Sequence, residues 1–264
     1  HRPHVTGDEM VVAMDAVGVD GAIAVSSKGI YGYDASYQIE VQKAHPGRFG
    51  IVRPVDPDNP AVGETIAKWK RTPGTVAVRL MVGGQPDLDP ATPGIDAIMR
   101  EAARQGFPVN FQCGGNLDVA MKIIDRHPNT RFALDHLASH QPRKMPDPAA
   151  WAALPKILEL ARRPNAVIKV SGVCTMSVQP YPHDDLWDPL SRVFDAWGFD
   201  RCLWGSDWTR TYPLYPYING IDPFRLTKRI SDSDRAKLMG ESCAKVYNWK
   251  PKSSYGQRHS KGQA

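Results

Sequence analysis

The stretch TVAVRLMV (residues 75–82) is an almost continuous run of apolar residues, several of them β-branched, and it contains one charge, Arg79. Runs of this kind are typical of strands that are buried on both faces, as in parallel sheets covered by helices. An amphipathic helical pattern follows it at residues 94–105. The stretch therefore predicts a strand that is followed by a helix, which is the repeating unit of an α/β fold.

The same alternation of strand and helix recurs along the chain. Further apolar runs predict strands at 21–26, 49–55, 108–113, 130–136, 166–172 and 201–207. Helical patterns lie at 34–44, 60–70, 117–126, 148–162 and 184–197. Ahead of these, Thr6 and Glu9 have capping-box spacing and begin a helix that Gly18 ends. Strands that alternate with helices, without hairpin turns between them, form a parallel sheet.

The number of strands indicates the architecture. Seven strands are one fewer than a closed (β/α)8 TIM barrel needs, and the length of 264 residues is close to the roughly 250 that is typical of that fold. No glycine-rich phosphate turn follows the first strand, which favours the barrel over an open doubly wound sheet. We therefore predict an α/β fold, a (β/α)8 barrel whose first strand precedes His1. The barrel domain is predicted to span residues 1–250, and residues 251–264 form a flexible basic tail.

Composition excludes several classes of protein. The formal net charge is +5, but the basic residues are scattered, which argues against a nucleic-acid partner. No window has the apolar length of a membrane span, and no secretory signal is visible. Four cysteines (Cys113, Cys174, Cys202 and Cys243) occur without a CxxC pair, so neither a disulfide framework nor a zinc knuckle is indicated. A cytoplasmic location is expected.

Polar side chains stand in the second half of six predicted strands, where barrel enzymes form their active sites. They are Arg53, Arg79, Asn110 with Gln112, His136, Lys169 with Ser171, and Asp207. We expect these side chains to converge in one cavity. Because cations predominate there, the cavity predicts a small anionic substrate held by Arg79 and Lys169. Asp135 is expected to face away from the cavity and to orient neighbouring backbone.

Several candidate site residues and one loop have two possible roles. Tyr31, after the first predicted strand, lines a substrate pocket or packs on the barrel rim. Cys113 and Cys174, near the strand ends, are a nucleophile or soft-metal site with His136, or they are small buried apolar residues. The loop RTYPLYPYING (210–220) is a lid or an oligomer contact, so a homo-oligomer is one of two alternatives.

Six stretches carry a family resemblance, in order along almost the whole chain. They are MDAVGVDGAIAV (14–25), AHPGRFGIVRPVDP (44–57), VAVRL (76–80), LDHLA (134–138), IKVSG (168–172) and CLWGSDW (202–208). With them the chain resembles the amidohydrolase superfamily, in the amidohydrolase-related branch of 2-pyrone-4,6-dicarboxylate lactonase and similar sugar-lactone and muconolactone hydrolases. The resemblance implies a (β/α)8 barrel that hydrolyses its substrate at the strand ends. It also implies that Asp207 is the strand-eight carboxylate that activates water and that His136 is the strand-six histidine.

The chain departs from the family at the metal site. The strand-one His-x-His motif does not occur, and HRPH at residues 1–4 has a different spacing. Gln112 stands where members with a fifth-strand metal histidine carry that histidine, and an amide is a poor ligand for a transition metal. Asp207 and His136 are two ligands, whereas catalytic zinc sites hold three protein ligands. We expect either no cofactor, which the sequence favours, or one divalent metal, zinc or manganese, bound to Asp207 and His136.

These observations predict an enzyme, a hydrolase of a small carboxylate-bearing lactone, ester or amide. The substrate-binding residues are predicted to be Arg79, Lys169, Gln112, Arg53, Ser171 and Tyr31. Asp207 deprotonates water, and His136 or a metal polarises the carbonyl. Two alternatives stand beside this prediction: a metal-dependent decarboxylase or hydratase of the same superfamily, and a catalytically silent barrel that serves as a subunit.

Overall fold

A parallel sheet forms the centre of the molecule. The computed structural model describes residues 5–85, 87–142 and 144–252. Its strands are β1 (Ala22–Val25), β2 (Phe49–Pro54), β3 (Thr75–Met81), β4 (Val109–Gln112), β5 (Phe132–Leu134), β6 (Ala166–Ser171) and β7 (Cys202–Gly205). Neighbouring strands pair in parallel, in the order β1-β2-β3-β4-β5-β6-β7. The predicted sequential parallel strands of a (β/α)8 barrel are confirmed.

Helices connect the strands and cover the outer face of the sheet. They are α1 (Gly7–Val17), α2 (Lys28–Tyr31), α3 (Ser36–Ala44), α4 (Val62–Lys70), α5 (Pro93–Arg104), α6 (Leu117–Arg126), α7 (Leu154–Leu160), α8 (Trp187–Trp197), α9 (Trp208–Thr211), α10 (Asp222–Arg225), α11 (Asp232–Ala236) and α12 (Ser242–Tyr247). The helix predicted at 148–162 is shorter, because residues 148–153 form turns before α7. None of the helices in the described residues has the length and hydrophobicity needed to cross a membrane.

The first helix begins and ends as its sequence predicts. The Glu9 N–H donates to the Thr6 hydroxyl oxygen at 3.2 Å, and the Thr6 N–H donates to the Glu9 carboxylate at 2.8 Å. Gly18 ends the helix with φ +75°, a left-handed conformation that glycine adopts without a Cβ clash. Such N-caps typically stabilise a helix by about 1 kcal/mol.

Alternate residues of each strand face two different cores. The inner core lies inside the curve of the sheet and contains Val52, Ala77, Ala133, Val167 and Leu203. The outer core lies between the sheet and the helices, and its strand residues include Ile51, Val78, Leu134, Ile168 and Cys202. This alternation decides which polar residues of a strand can reach the interior.

The segment from α12 onward packs against the inner core. Tyr247 is buried, and its hydroxyl donates to Asn110 Oδ1 at 2.7 Å. Further along, the Lys252 N–H donates to the Gly47 carbonyl at 3.1 Å. Trp249 lies so close to the start of β1 that a Cβ on Gly21 would come within 2.9 Å of its ring. The C-terminal segment thus covers the inner core from β4 to the start of β1.

We expect Tyr247→Ala to lower the free energy of unfolding by about 3–5 kcal/mol, because it removes a buried ring and leaves a cavity. Tyr247→Phe loses only the hydrogen bond to Asn110, which costs about 1–3 kcal/mol when an acceptor stays buried and unpaired. Urea denaturation measures both variants. Tyr181→Ala is the matched control, since Tyr181 is 46% exposed. A Tyr247→Ala variant as stable as the control would contradict the role of this ring in the inner core.

Three expectations lie outside the described residues. The HRPH motif at residues 1–4 and most of the basic tail, residues 253–264, fall there. The strand expected before His1 stays a prediction, as do the boundaries of the barrel domain.

Candidate functional site

Polar side chains gather at the carboxyl ends of β3 to β7. Arg79 alternates in register with Ala77, and Lys169 and Ser171 alternate with Val167, so these side chains face the interior. This is the end of a parallel barrel where active sites form.

A buried carboxylate joins the two interior cations. Asp135 Oδ2 accepts from Arg79 Nε at 2.8 Å, and Asp135 Oδ1 accepts from Lys169 Nζ at 2.7 Å. Burial by itself would raise the pKa of Asp135, but the Lys169 ammonium and the Arg79 guanidinium hold that pKa well below its ordinary value. The expectation that Asp135 faces away from the cavity is therefore wrong. Arg79 and Lys169 reach the site as predicted, but each is already paired.

The turn after β5 explains where Asp135 and His136 point. The strand ends at Leu134, and Asp135 continues the inward alternation of Ala133. His136, Leu137 and Ala138 then take three consecutive left-handed conformations, with φ of 52°, 57° and 53°. Such a conformation costs a non-glycine residue roughly 1–2 kcal/mol. The turn brings His136 to the mouth, although strict alternation would place it with Leu134 in the outer core.

His136, Ser171 and Asp207 meet at the mouth of the barrel. His136 Nδ1 lies 2.8 Å from Ser171 Oγ and 3.6 Å from Asp207 Oδ2. The His136 and Asp207 side chains are 23% and 16% exposed, so solvent and small molecules can reach them. With Nδ1 directed at two oxygen atoms, Nε2 is the ring nitrogen left for proton exchange.

Arg210 connects Asp207 to two neighbouring loops. Its Nε donates to Asp207 Oδ2. Its Nη1 donates to the Pro142 carbonyl at 3.0 Å, and its Nη2 donates to Gln141 Oε1 at 2.8 Å and to Thr175 Oγ1 at 3.3 Å. The guanidinium thus binds the candidate base on one side and the loops after β5 and β6 on the other.

Gln112 lies at the mouth, bound to the loop after β3. Its Oε1 accepts the Gly83 N–H at 3.2 Å. The two residues are so close that a Cβ on Gly83 would come within 2.5 Å of Oε1. A larger residue at position 83 would therefore displace the Gln112 amide from this position.

The prediction that Arg53 lines the site is wrong. Its Nη2 donates to the Tyr33 carbonyl at 2.8 Å, and its guanidinium lies 5.5 Å from the ring centroid of Trp69 in α4. Val52 occupies the inner core, so the next residue faces the helices. β2 is apolar on both faces, and the sequence therefore carried no signal of which face Arg53 takes.

Tyr31 and the two candidate cysteines pack against neighbouring side chains. Tyr31 is 40% exposed and stacks on Tyr37, with the ring centroids 6.2 Å apart. Its part in substrate binding stays a prediction. Cys113 lies in the outer core, and burial raises the pKa of its thiol far above the ordinary value. Burial also raises the pKa of Cys174 to about 12, so neither thiol is suited to act as a thiolate nucleophile.

Two features of the site were not predicted. Asp135 could have been found from its alternation with Ala133, if β5 were known to end at Leu134. Gln141, which binds Arg210, lies in an irregular loop, and nothing in its sequence context indicates a place in the site.

Several known proteins are similar to this chain in sequence or in fold. A family model described as Amidohydrolase matches residues 3–249. L-fucono-1,5-lactonase of Burkholderia ambifaria is 29% identical over 183 residues, which is 66% of this chain and 60% of that protein. 4-Sulfomuconolactone hydrolase of Hydrogenophaga intermedia is 24% identical over 204 residues, 76% of this chain and 64% of that protein. The matches thus span less than two thirds of both relatives.

A solved amidohydrolase structure from Burkholderia multivorans, with bound zinc, has a TM-score of 0.74. It is 20% identical to this chain, and the superposition covers 93% of this chain and 89% of that one. At this identity the likeness shows the fold.

The zinc in that structure raises the question of whether the donors here fit a metal. Within residues 5–85, 87–142 and 144–252, no three His, Cys, Asp or Glu side chains are grouped to hold one. His136 binds Ser171 through Nδ1 and keeps Nε2 as a donor, but Asp207 Oδ2 is bound by Arg210 and Gln112 Oε1 accepts a backbone N–H. This set does not fit a catalytic zinc or manganese site, which needs about three free protein ligands.

Proposed function

Because this chain belongs to the amidohydrolase family, we propose that it is a hydrolase of a small carboxylate-bearing lactone. The observation that carries the proposal is the meeting of His136 and Asp207, with Nδ1 3.6 Å from Oδ2, at the mouth of the barrel. A carboxylate and an imidazole within reach of one another are the groups that general base and general acid catalysis require. The names of the two relatives, a fuconolactonase and a sulfomuconolactone hydrolase, support a lactone as the substrate, and the carboxylate is inferred from the cations of the site.

In this mechanism Asp207 acts as the general base. It accepts a proton from water as the water oxygen attacks the lactone carbonyl carbon, which forms a tetrahedral oxyanion. His136 donates a hydrogen bond to that oxyanion. The oxyanion then re-forms the carbonyl as the ring C–O bond breaks, the leaving alkoxide takes the proton that Asp207 accepted from water, and the product is a hydroxy acid. The residues of this chain supply each step, and no step passes through a metal.

The substrate anion is proposed to bind beside the Asp135 ion pairs. Arg79, Lys169 and Arg210 carry three positive charges, and Asp135 and Asp207 carry two negative charges, so the cluster has a net charge of +1. Arg79 binds Asp135 through Nε, which leaves the fork of its two Nη groups to bind a carboxylate in bidentate fashion. Asp135 then holds Arg79 and Lys169 in place instead of competing for the substrate. Gln112 and Ser171 are the polar neighbours proposed to contact the lactone.

A panel of lactone pairs tests this function. Each pair has the same ring, with a carboxylate in one member and a neutral methyl group in the other. We expect kcat/KM to favour the carboxylate member by about 10–100-fold, since hydrogen bonds to charged groups contribute roughly 1.5–3 kcal/mol. Proton release at constant pH measures turnover. Equal rates for both members would refute the anionic substrate, and no turnover of any lactone would refute the function itself.

Removal of metal ions is expected to leave turnover unchanged, because the donor set around Asp207 does not fit a metal site. The protein is dialysed against a chelator, its metal content is measured by elemental analysis, and kcat/KM is compared before and after. Stoichiometric zinc or manganese, with activity lost on chelation and restored by the metal, would contradict the metal-free mechanism. That result would favour the alternative of a metal-dependent decarboxylase or hydratase.

A further inference from the structure

We infer that Arg210 and Gln141 together position Asp207 against His136, an inference that rests on the proposed function. Neither side chain needs to touch the substrate, so both are positioning residues.

His136 and Asp207 both lie beyond the ends of their strands. β5 ends at Leu134 and β7 ends at Gly205, so each residue stands two positions past its last strand residue. Both have left-handed backbones, with φ of 52° and 48°. The hydrogen bonds of the sheet therefore do not set the distance between the two side chains. Ser171 of β6 holds the His136 ring at 2.8 Å, so it is the Asp207 carboxylate that needs a contact outside the sheet.

A bridge of two side chains connects them. Gln141 Nε2 donates to the His136 carbonyl at 3.3 Å, and Gln141 Oε1 accepts from Arg210 Nη2 at 2.8 Å. Arg210 Nε in turn donates to Asp207 Oδ2. The bridge thus runs from the backbone of His136 to the carboxylate of Asp207. Gln141 is only 9% exposed, so water competes little for its amide.

The bridge is also fastened to the loops on both sides. Arg210 Nη1 donates to the Pro142 carbonyl at 3.0 Å. Thr175 Oγ1 lies 3.3 Å from Gln141 Oε1 and donates to the Gly172 carbonyl at 2.8 Å. The hydrogen bonds of Arg210 to Asp207, Pro142 and Gln141 use all three nitrogen atoms of its planar guanidinium. Lysine has a single ammonium, which cannot form the same three hydrogen bonds.

The experiment compares Arg210→Gln, Arg210→Lys, Gln141→Leu and the Arg210→Gln/Gln141→Leu double variant by steady-state kinetics on the best lactone of the panel. We expect Arg210→Gln to lower kcat about a hundred-fold, the loss that a misplacement of about 1 Å causes, while KM changes less than about three-fold. Gln141→Leu should lower kcat about ten-fold, and the double variant should be no slower than Arg210→Gln, because coupled residues are not additive. The kcat of Arg210→Lys should stay as low as that of Arg210→Gln. In a further variant, Arg210→Ala, added guanidinium ion should restore part of kcat.

Arg104→Gln is the matched control, since this exposed arginine also pairs with a carboxylate three residues earlier, Glu101. Its kcat should equal that of the unmodified protein. Unchanged kcat in the Arg210 variants, or losses that multiply in the double variant, would overturn the inference while turnover by the unmodified protein upholds the function. A crystal structure of Arg210→Ala gives a readout independent of activity: a displaced Asp207 carboxylate supports the inference, and an unmoved one overturns it.

Discussion

Replacing Asp207 with asparagine should lower kcat about a thousand-fold, within the roughly 10²–10⁴-fold that general base catalysis contributes. The amide has the shape of the carboxylate and can still accept from Arg210 through its oxygen, but it cannot take a proton from water. Binding of the hydroxy acid product should change little, because the proposed anion contacts come from Arg79. Steady-state kinetics and calorimetric titration of the product measure the two effects separately.

The control for this variant is Asp195→Asn, an exposed aspartate on α8. It should keep full turnover and full product affinity. If Asp207→Asn keeps more than about a tenth of kcat, Asp207 is not the base, since general base catalysis contributes at least roughly a hundred-fold.

Replacing Asp135 with asparagine should lower the free energy of unfolding by about 3–5 kcal/mol, the usual result of removing one partner from a buried ion pair. The loss is large because Arg79 and Lys169 both remain in the interior without their carboxylate, at side-chain exposures of 12% and 13%. Chemical denaturation measures the loss. An Asp135→Asn/Lys169→Met double variant should be more stable than Asp135→Asn alone, because it no longer buries that unpaired ammonium.

The same carboxylate should make stability depend on pH. The pKa of Asp135 is lower in the folded protein than in the unfolded chain, because Lys169 and Arg79 favour its ionised form. Its contribution is therefore fully present above the unfolded pKa of about 3.9 and is lost as the pH falls from there toward the folded pKa.

Urea midpoints measured between about pH 6 and pH 3 should fall less steeply for Asp135→Asn than for the unmodified protein. Asp118→Asn is the control, because its ion pair with Lys156 is exposed and its carboxylate side chain is 65% accessible. If the urea midpoints of Asp135→Asn and the unmodified protein fell equally with pH, this carboxylate would not be the cause of the loss of stability in acid.

The order and direction of the strands could be read from the sequence because their signals are local. The run at 75–82 became β3, the helical pattern at 117–126 became α6 without change, and Thr6 with Glu9 formed the cap of α1. Apolar runs, helical periodicity and capping residues depend on neighbours within a few positions, so no knowledge of distant contacts is needed.

Part of the candidate site could be predicted from the sequence. His136, Ser171 and Asp207 were predictable as neighbours, because the carboxyl ends of parallel strands meet at one end of a barrel. Arg53 was not, since β2 is buried on both faces and gives no polar alternation to show its inward side. The prediction for Asp135 is wrong because the left-handed turn at residues 136–138 carries His136 away from the face that alternation assigns to it.

Only the tertiary structure decided how these groups are held. Asp135 pairs with Arg79 across 56 residues of chain, and Arg210 binds Gln141 across 69 residues. A contact of that range leaves no pattern in either segment, because each side chain looks locally like an ordinary polar residue. What the sequence by itself determined is a parallel barrel with polar side chains at its carboxyl end. Which charges are neutralised there, and which side chains set the distance between His136 and Asp207, follows from the three-dimensional packing that brings distant loops together.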